Sequence, residues 1–135
     1  SLSCKIAKLD NGVRIDRNEY YAKMSSSKII LAPFGYGEMA PRDIEATMFG
    51  SILIKPDMSH IDSEPMWYED GKTYIACKWD FSDLEEKINY VLDNFDNLKN
   101  DMIEYARNKF TTLYTHENIA KSIYYTFQHL PGITF

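Results

Sequence analysis

The chain has 135 residues, enough for one domain with a continuous core. A hydrophobic share of 44%, a charged share of 26%, ten Tyr and seven Phe exclude a disordered polymer. A net charge of −5 argues against a nucleic-acid binder, which needs clustered Lys and Arg, and no apolar run approaches the roughly 20 residues that span a bilayer.

Residues 1–8 are too short and polar for a signal peptide, and without an initiating Met the chain reads as a piece of something longer. Residues 4–9 alternate weakly, as an edge strand does, and Asp10-Asn11-Gly12 is a turn signal. Asp16 followed by Glu19 predicts a capped helix carrying Tyr20, Tyr21 and Met24. Ser25-Ser26-Ser27 reads as the turn that follows it. The apolar run at residues 28–32 then predicts a strand buried on both faces, as in a parallel sheet.

Residues 33–50 read PFGYGEMAPRDIEATMFG. Gly35 and Gly37 permit a tight loop, and Pro41 suits the first position of a helix. Ile44, Met48 and Phe49 form its apolar face, and Gly50 is its stop. A second strand at residues 51–54, ended by Lys55-Pro56, completes a βαβ unit with an expected right-handed crossover. An irregular stretch at 57–72, anchored by Met66, Trp67 and Tyr68, precedes a third strand at 73–77.

The rest is helical. Ser82 and Glu85 form a capping box ahead of Leu84, Ile88, Val91, Leu92 and Phe95. Asn97 heads a helix with Leu98, Met102, Tyr105, Ala106 and Phe110 facing inward, and Thr115 caps a last one bearing Ile119, Ile123, Tyr124 and Phe127. Pro131-Gly132 ends it. The expected fold is α/β: a Rossmann-like parallel sheet with flanking helices and a helical C-terminal tail, in a single domain over 1–135.

In open parallel sheets, ligands bind at the carboxyl ends of the strands. The loop after the first apolar strand leads into the helix at Pro41, whose amides and positive dipole end suit phosphate. Gly35 and Gly37 let the backbone approach a pyrophosphate, and Arg42 adds a charge that forks onto phosphate oxygens. An Arg in a first turn opposes the helix dipole, so helix stability alone does not account for it. Glu45 lies on the same side as Arg42, placed for ribose hydroxyls, and Glu38 in the loop is placed for a sugar. The bland readings are a solvated Arg42–Glu45 pair and an exposed Glu38. G-Y-G is neither a dinucleotide fingerprint nor a P-loop.

Residues 20–127 resemble the C-terminal domain of GT-B type glycosyltransferases, in the spore-maturation-protein-like and exostosin-like group. The likeness runs in order through MSSSKIILAPFG (24–35), PRDIEATMFGSILI (41–54), YEDGKTYIACKWDFSDLEEKINYVLDN (68–94) and ARNKFTTLYTHENIAKSIY (106–124). The second stretch resembles the family's R-x-x-E-A-x-x-x-G followed by an apolar strand. The resemblance implies that Glu45 binds the ribose and Arg42 sits beside the donor diphosphate. It also implies that the loop of Gly35, Tyr36, Gly37 and Glu38 faces the transferred sugar. Many relatives carry two glutamates eight positions apart, whereas Glu38 and Glu45 are seven apart. The implied ligand is a nucleotide-diphosphate sugar, with no cofactor and no obligatory metal. The implied partner is an absent N-terminal acceptor domain, without which transfer is negligible.

Competing readings are weaker. Cys4 and Cys77 read as reduced buried thiols of a cytoplasmic protein. His60, His116 and His129 lack partners at ligand spacing, so no metal site is expected. Asp57, Asp62, Glu64, Glu69 and Asp70 read as a solvated acidic loop. Trp67 and Trp79 read as partial core residues rather than stacking surfaces. A phosphoryl-accepting receiver needs acids after an early strand, and this one ends in Ala32-Pro33. The alternative in another class is a non-catalytic α/β ligand-sensing or structural module.

Overall fold

A computed structural model of the protein describes residues 15–63 and 65–128. The strand expected at 4–9, the turn at 10–12, Cys4, Glu64, His129 and Pro131-Gly132 lie outside the described residues. The elements run α1 (Arg17–Ser26), β1 (Ile29–Leu31), α2 (Pro41–Met48), β2 (Ile52–Pro56), β3 (Ile75–Cys77), α3 (Leu84–Asp93), α4 (Phe95–Leu98), a π-helical turn (Lys99–Ile103), α5 (Glu104–Leu113) and α6 (His116–Gln128).

The three strands form one parallel sheet in the order β1-β2-β3. Residues of β2 alternate between its faces. Leu53 joins a cluster with Ala46, Met58, Trp67, Tyr68, Tyr74 and Ala106, beneath α2 and α5. Ile52 and Ile54 join Ile75, Cys77, Val91, Met102 and Ile103 on the other face, beneath α3 and the π turn. Both faces of β2 are covered, which is why its sequence reads as an apolar run, whereas the strand expected to be buried on both faces at 28–32 is the edge strand β1, with Leu31 40% exposed. The expected α/β sheet with flanking helices is what the chain forms.

Local signals set most of the boundaries. The Asp16 carboxylate accepts the Asn18 amide at 2.9 Å and opens α1. Hydroxyls of Ser25, Ser26 and Ser27 return to the carbonyls of Ala22 and Lys23, closing the helix before β1. Gly50 ends α2 with φ 85°; its amide reaches Thr47 O and that of Ser51 reaches Ala46 O, a Schellman closure. Thr115 Oγ1 accepts the Asn118 amide at the start of α6.

Three expectations change. β2 does not stop before Lys55 but continues through Pro56, carrying a lysine into the interior. Asp83 rather than Ser82 precedes α3; its carboxylate is spent on the Lys78 amide instead of a cap. No new helix is capped at Asn97. The backbone runs on from Phe95 through the π turn into α5, and the extra residue rephases the inward face. Ile103 is therefore buried while Tyr105, expected inside, is 38% exposed. On α6, Ile119 and Ile123 lie at the surface. No helix among the described residues is long and apolar enough to cross a membrane.

Candidate functional site

Loops following the three parallel strands meet at the carboxyl end of the sheet. Phe34 follows β1, His60 follows β2 and Trp79 follows β3. The Trp79 ring touches Phe34 edge-on at 5.2 Å between centroids and His60 at 5.0 Å. Its indole N–H donates to the Asp57 carbonyl at 3.0 Å. The Asp57 carboxylate in turn accepts the amide and hydroxyl of Ser59, at 3.0 and 2.7 Å, which holds that carboxyl below the usual range. His60 Nε2 pairs with Glu38 Oε1 at 2.9 Å. Glu38 is thus brought to the strand ends, beside the loop containing Gly35 and Gly37.

That loop is open. A Cβ at Gly35 would meet nothing within 4 Å, and one at Gly37 only the Met39 carbonyl at 3.9 Å. Positive φ among the described glycines occurs at Gly50 and Gly71, so neither loop glycine is required by its backbone angle. What they leave is clearance over the backbone. Tyr36 stands fully exposed.

The amino end of α2 is more occupied than its sequence suggests. Pro41 is the first helical residue and has no amide proton. The Asp43 amide turns back to the Ala40 carbonyl at 2.9 Å, and the Ala40 amide is held by Asp43 Oδ2 at 3.1 Å. This leaves the exposed Arg42 as the first-turn source of donors to a ligand. Among the described residues Arg42 makes no ion pair, and the expected Arg42–Glu45 alternative does not form. Glu45 is half-buried and accepts the Tyr20 hydroxyl on Oε2 at 3.0 Å. Burial, then the bond to Glu45, pushes the Tyr20 hydroxyl up to about 12, against the opposing charge of Arg42. Tyr20 therefore stays a donor at neutral pH.

Beneath this surface lies a buried charge cluster that sequence reading missed. Asp43 and Lys55 are each 1% exposed, with Nζ 3.2 Å from Asp43 Oδ2. The Tyr68 hydroxyl donates to the same oxygen at 2.6 Å, and burial followed by this bond raises that hydroxyl well above its ordinary range. Lys55 also donates to the Ala32 carbonyl at 3.4 Å and lies 5.2 Å from the Phe34 ring centre. Asp43 Oδ1 is buried and has no hydrogen-bond partner among the described residues. The available signal was Lys55 itself: a lysine continuing a run buried on both faces demands a counter-charge.

The other candidates separate cleanly. Trp67 is 1% exposed and packs against Phe110 and Tyr114, as a core residue should. Trp79, 56% exposed, is not in the core. Cys77 is a buried free thiol, pushed up to about 11 by burial first and Asp83 second. His116 is exposed. The acids of the irregular stretch disperse. Glu69 is held by Lys109, Lys72 and Tyr105, and Asp70 accepts the Ala76 amide at the edge of β3. No group of three or more potential metal ligands forms among the described residues. An open groove of about 600 Å³ lies elsewhere, between Pro65-Met66 and Tyr105, Asn108, Lys109 and Thr112. None of its lining residues belongs to the loop or helix at 33–50.

Comparison with protein-family models, with curated proteins and with solved structures returned no match.

Proposed function

We propose that the chain is the donor-binding domain of a glycosyltransferase and holds a nucleotide-diphosphate sugar at the carboxyl end of its sheet. One observation carries most weight: three parallel strands and the amino end of α2 open on one surface, where Arg42 is exposed and has no ion pair among the described residues. An exposed cation at the carboxyl end of a parallel sheet costs little when empty and attracts an anion.

The diphosphate rests on Arg42 and the loop backbone cleared by Gly35 and Gly37. Because Pro41 and Asp43 remove helix amides from the site, the guanidinium supplies more of the attraction than the helix end does. Glu45, oriented by Tyr20, presents Oε1 to the ribose hydroxyls. Transfer requires stabilising the leaving diphosphate, and Arg42 is the residue assigned to that electrostatic work. An acceptor-binding domain on another part of the polypeptide, or on a partner, completes the enzyme.

A thermal-shift panel of UDP-, GDP-, ADP- and CMP-sugars tests this reading. A ligand at about 100 times its dissociation constant stabilises the fold by roughly 2.7 kcal/mol. An unmoved melting point across the whole panel would leave the alternative, a non-catalytic ligand-sensing or structural module.

A further inference from the structure

Trp79 is an exposed tryptophan held at the strand ends. Its ring is fixed rather than free. The indole N–H is tied to the Asp57 carbonyl, the ring meets those of Phe34 and His60 at 83° and 62°, and 56% of the residue is open to solvent. Alongside sits the Glu38–His60 pair, joined through Oε1 and Nε2 at 2.9 Å. That bond leaves Glu38 Oε2 and His60 Nδ1 without partners among the described residues, and both side chains are more than a third exposed.

An anchored, exposed indole beside two unused polar atoms has a specific chemical complement. The C–H bonds on one face of a pyranose carry partial positive charge, which the negative face of an indole attracts. The hydroxyls at the ring edge donate to a carboxylate oxygen and exchange hydrogen bonds with an imidazole nitrogen. We propose that Trp79, His60 and Glu38 form a saccharide subsite, with Trp79 as the stacking platform and the Glu38–His60 pair reading the hydroxyls. The assignment rests on the nucleotide-sugar reading above for which saccharide it is: the hexosyl group joined to the diphosphate at Arg42.

The test uses the full chain labelled with 15N. Its two tryptophans give two indole N–H signals, and Trp67, being buried, is the internal reference. UDP, GDP and ADP, their hexose conjugates, and methyl glycosides of glucose, galactose, mannose and N-acetylglucosamine are titrated separately. We expect at least one conjugate and its matching glycoside to move the Trp79 indole signal, while free nucleoside diphosphates move only amides of residues 35–42. Trp79→Ala should weaken the conjugate by about tenfold, or ~1.4 kcal/mol, relative to the free diphosphate. Glu38→Gln should weaken it less and leave the fold intact. Diphosphates that shift the loop amides while no sugar moves Trp79 would overturn the subsite and leave the nucleotide site standing. Glycosides that move Trp79 while no nucleotide shifts any amide would support the subsite and end the nucleotide reading. A free diphosphate moving Trp79 as strongly as its conjugate assigns the platform to the base and overturns the proposal. So does a spectrum unmoved by every probe.

Discussion

Arg42 and Asp43 are adjacent in the first turn of α2, yet they live in opposite environments. Asp43 is sealed in the interior with Lys55, Tyr68 and the Ala40 amide on one of its oxygens. Arg42 stands in solvent with no ion pair among the described residues. One charge has been used to fix the helix over the sheet; its neighbour has been left available. Burial against Lys55 and Tyr68 marks Asp43 as a structural charge, whereas Arg42, exposed beside the strand-end loop, is the charge that the proposal assigns to a ligand.

The comparison is sharpest where it predicts different losses. Lys55→Met leaves the Asp43 carboxylate buried without its cation, and removing one partner of such a pair costs roughly 3–5 kcal/mol. Chemical denaturation should show most of that loss, because Asp43 Oδ1 already lacks a partner and Oδ2 would keep only Tyr68 and the Ala40 amide. A Lys55→Met protein as stable as the wild type would break the claim that this pair is structural.

Arg42→Ala should do the reverse. Its stability without ligand should stay within about 0.5 kcal/mol of the wild type. The roughly 2.7 kcal/mol of stabilisation expected from a saturating nucleotide sugar should vanish. Glu45→Ala should combine both behaviours. It loses the ligand effect and about 1 kcal/mol of intrinsic stability with the Tyr20 hydrogen bond, measurable by urea titration.

The far end of α2 gives a control unconnected with charge. Gly50 sits at φ 85°, and a Cβ there would meet only Arg107 Nη2 at 3.9 Å. Gly50→Ala therefore carries backbone strain without a clash, costing about 1 kcal/mol in equilibrium unfolding and leaving ligand affinity unchanged.

The last contrast concerns Glu69 and is read as a pH slope. Its carboxyl is lowered from 4.5 to about 2, first by the hydrogen bond from Lys109 and further by bonds from Lys72 and Tyr105. A depressed folded-state value means its stabilisation is present above pH 4.5 and is lost as pH falls toward 2. Glu69→Gln should flatten the stability–pH curve across that acid window. An unchanged slope would place the acid sensitivity elsewhere.

What the sequence made legible was local. The Asp16 cap, Pro41 as the first residue of α2, the Gly50 stop and the apolar strands are each written within a few neighbouring residues. So was the direction of the chain through one βαβ unit and into a further parallel strand. What it concealed depends on distant partners. Lys55 reads as a strand terminator until Asp43 is seen across the layer beneath it. Tyr105 reads as core until the π turn advances the phase by a residue and gives Ile103 its place. Trp79 reads as core because exposure of a tryptophan is unusual; only the hydrogen bond to Asp57 and the neighbouring rings explain how it is held outside. Of the loop and helix residues singled out for ligand binding, Glu38 gained a partner that spacing could not reveal, His60. Arg42 and Glu45 proved to be separate groups rather than a pair.

The most direct test is calorimetric titration of the chain and its Arg42→Ala variant with UDP-, GDP-, ADP- and CMP-sugars. The account expects saturable heat for at least one of these with the wild-type chain and none for the variant, whose melting point without ligand is unchanged. Equal binding by both proteins, or no heat from either, would contradict it.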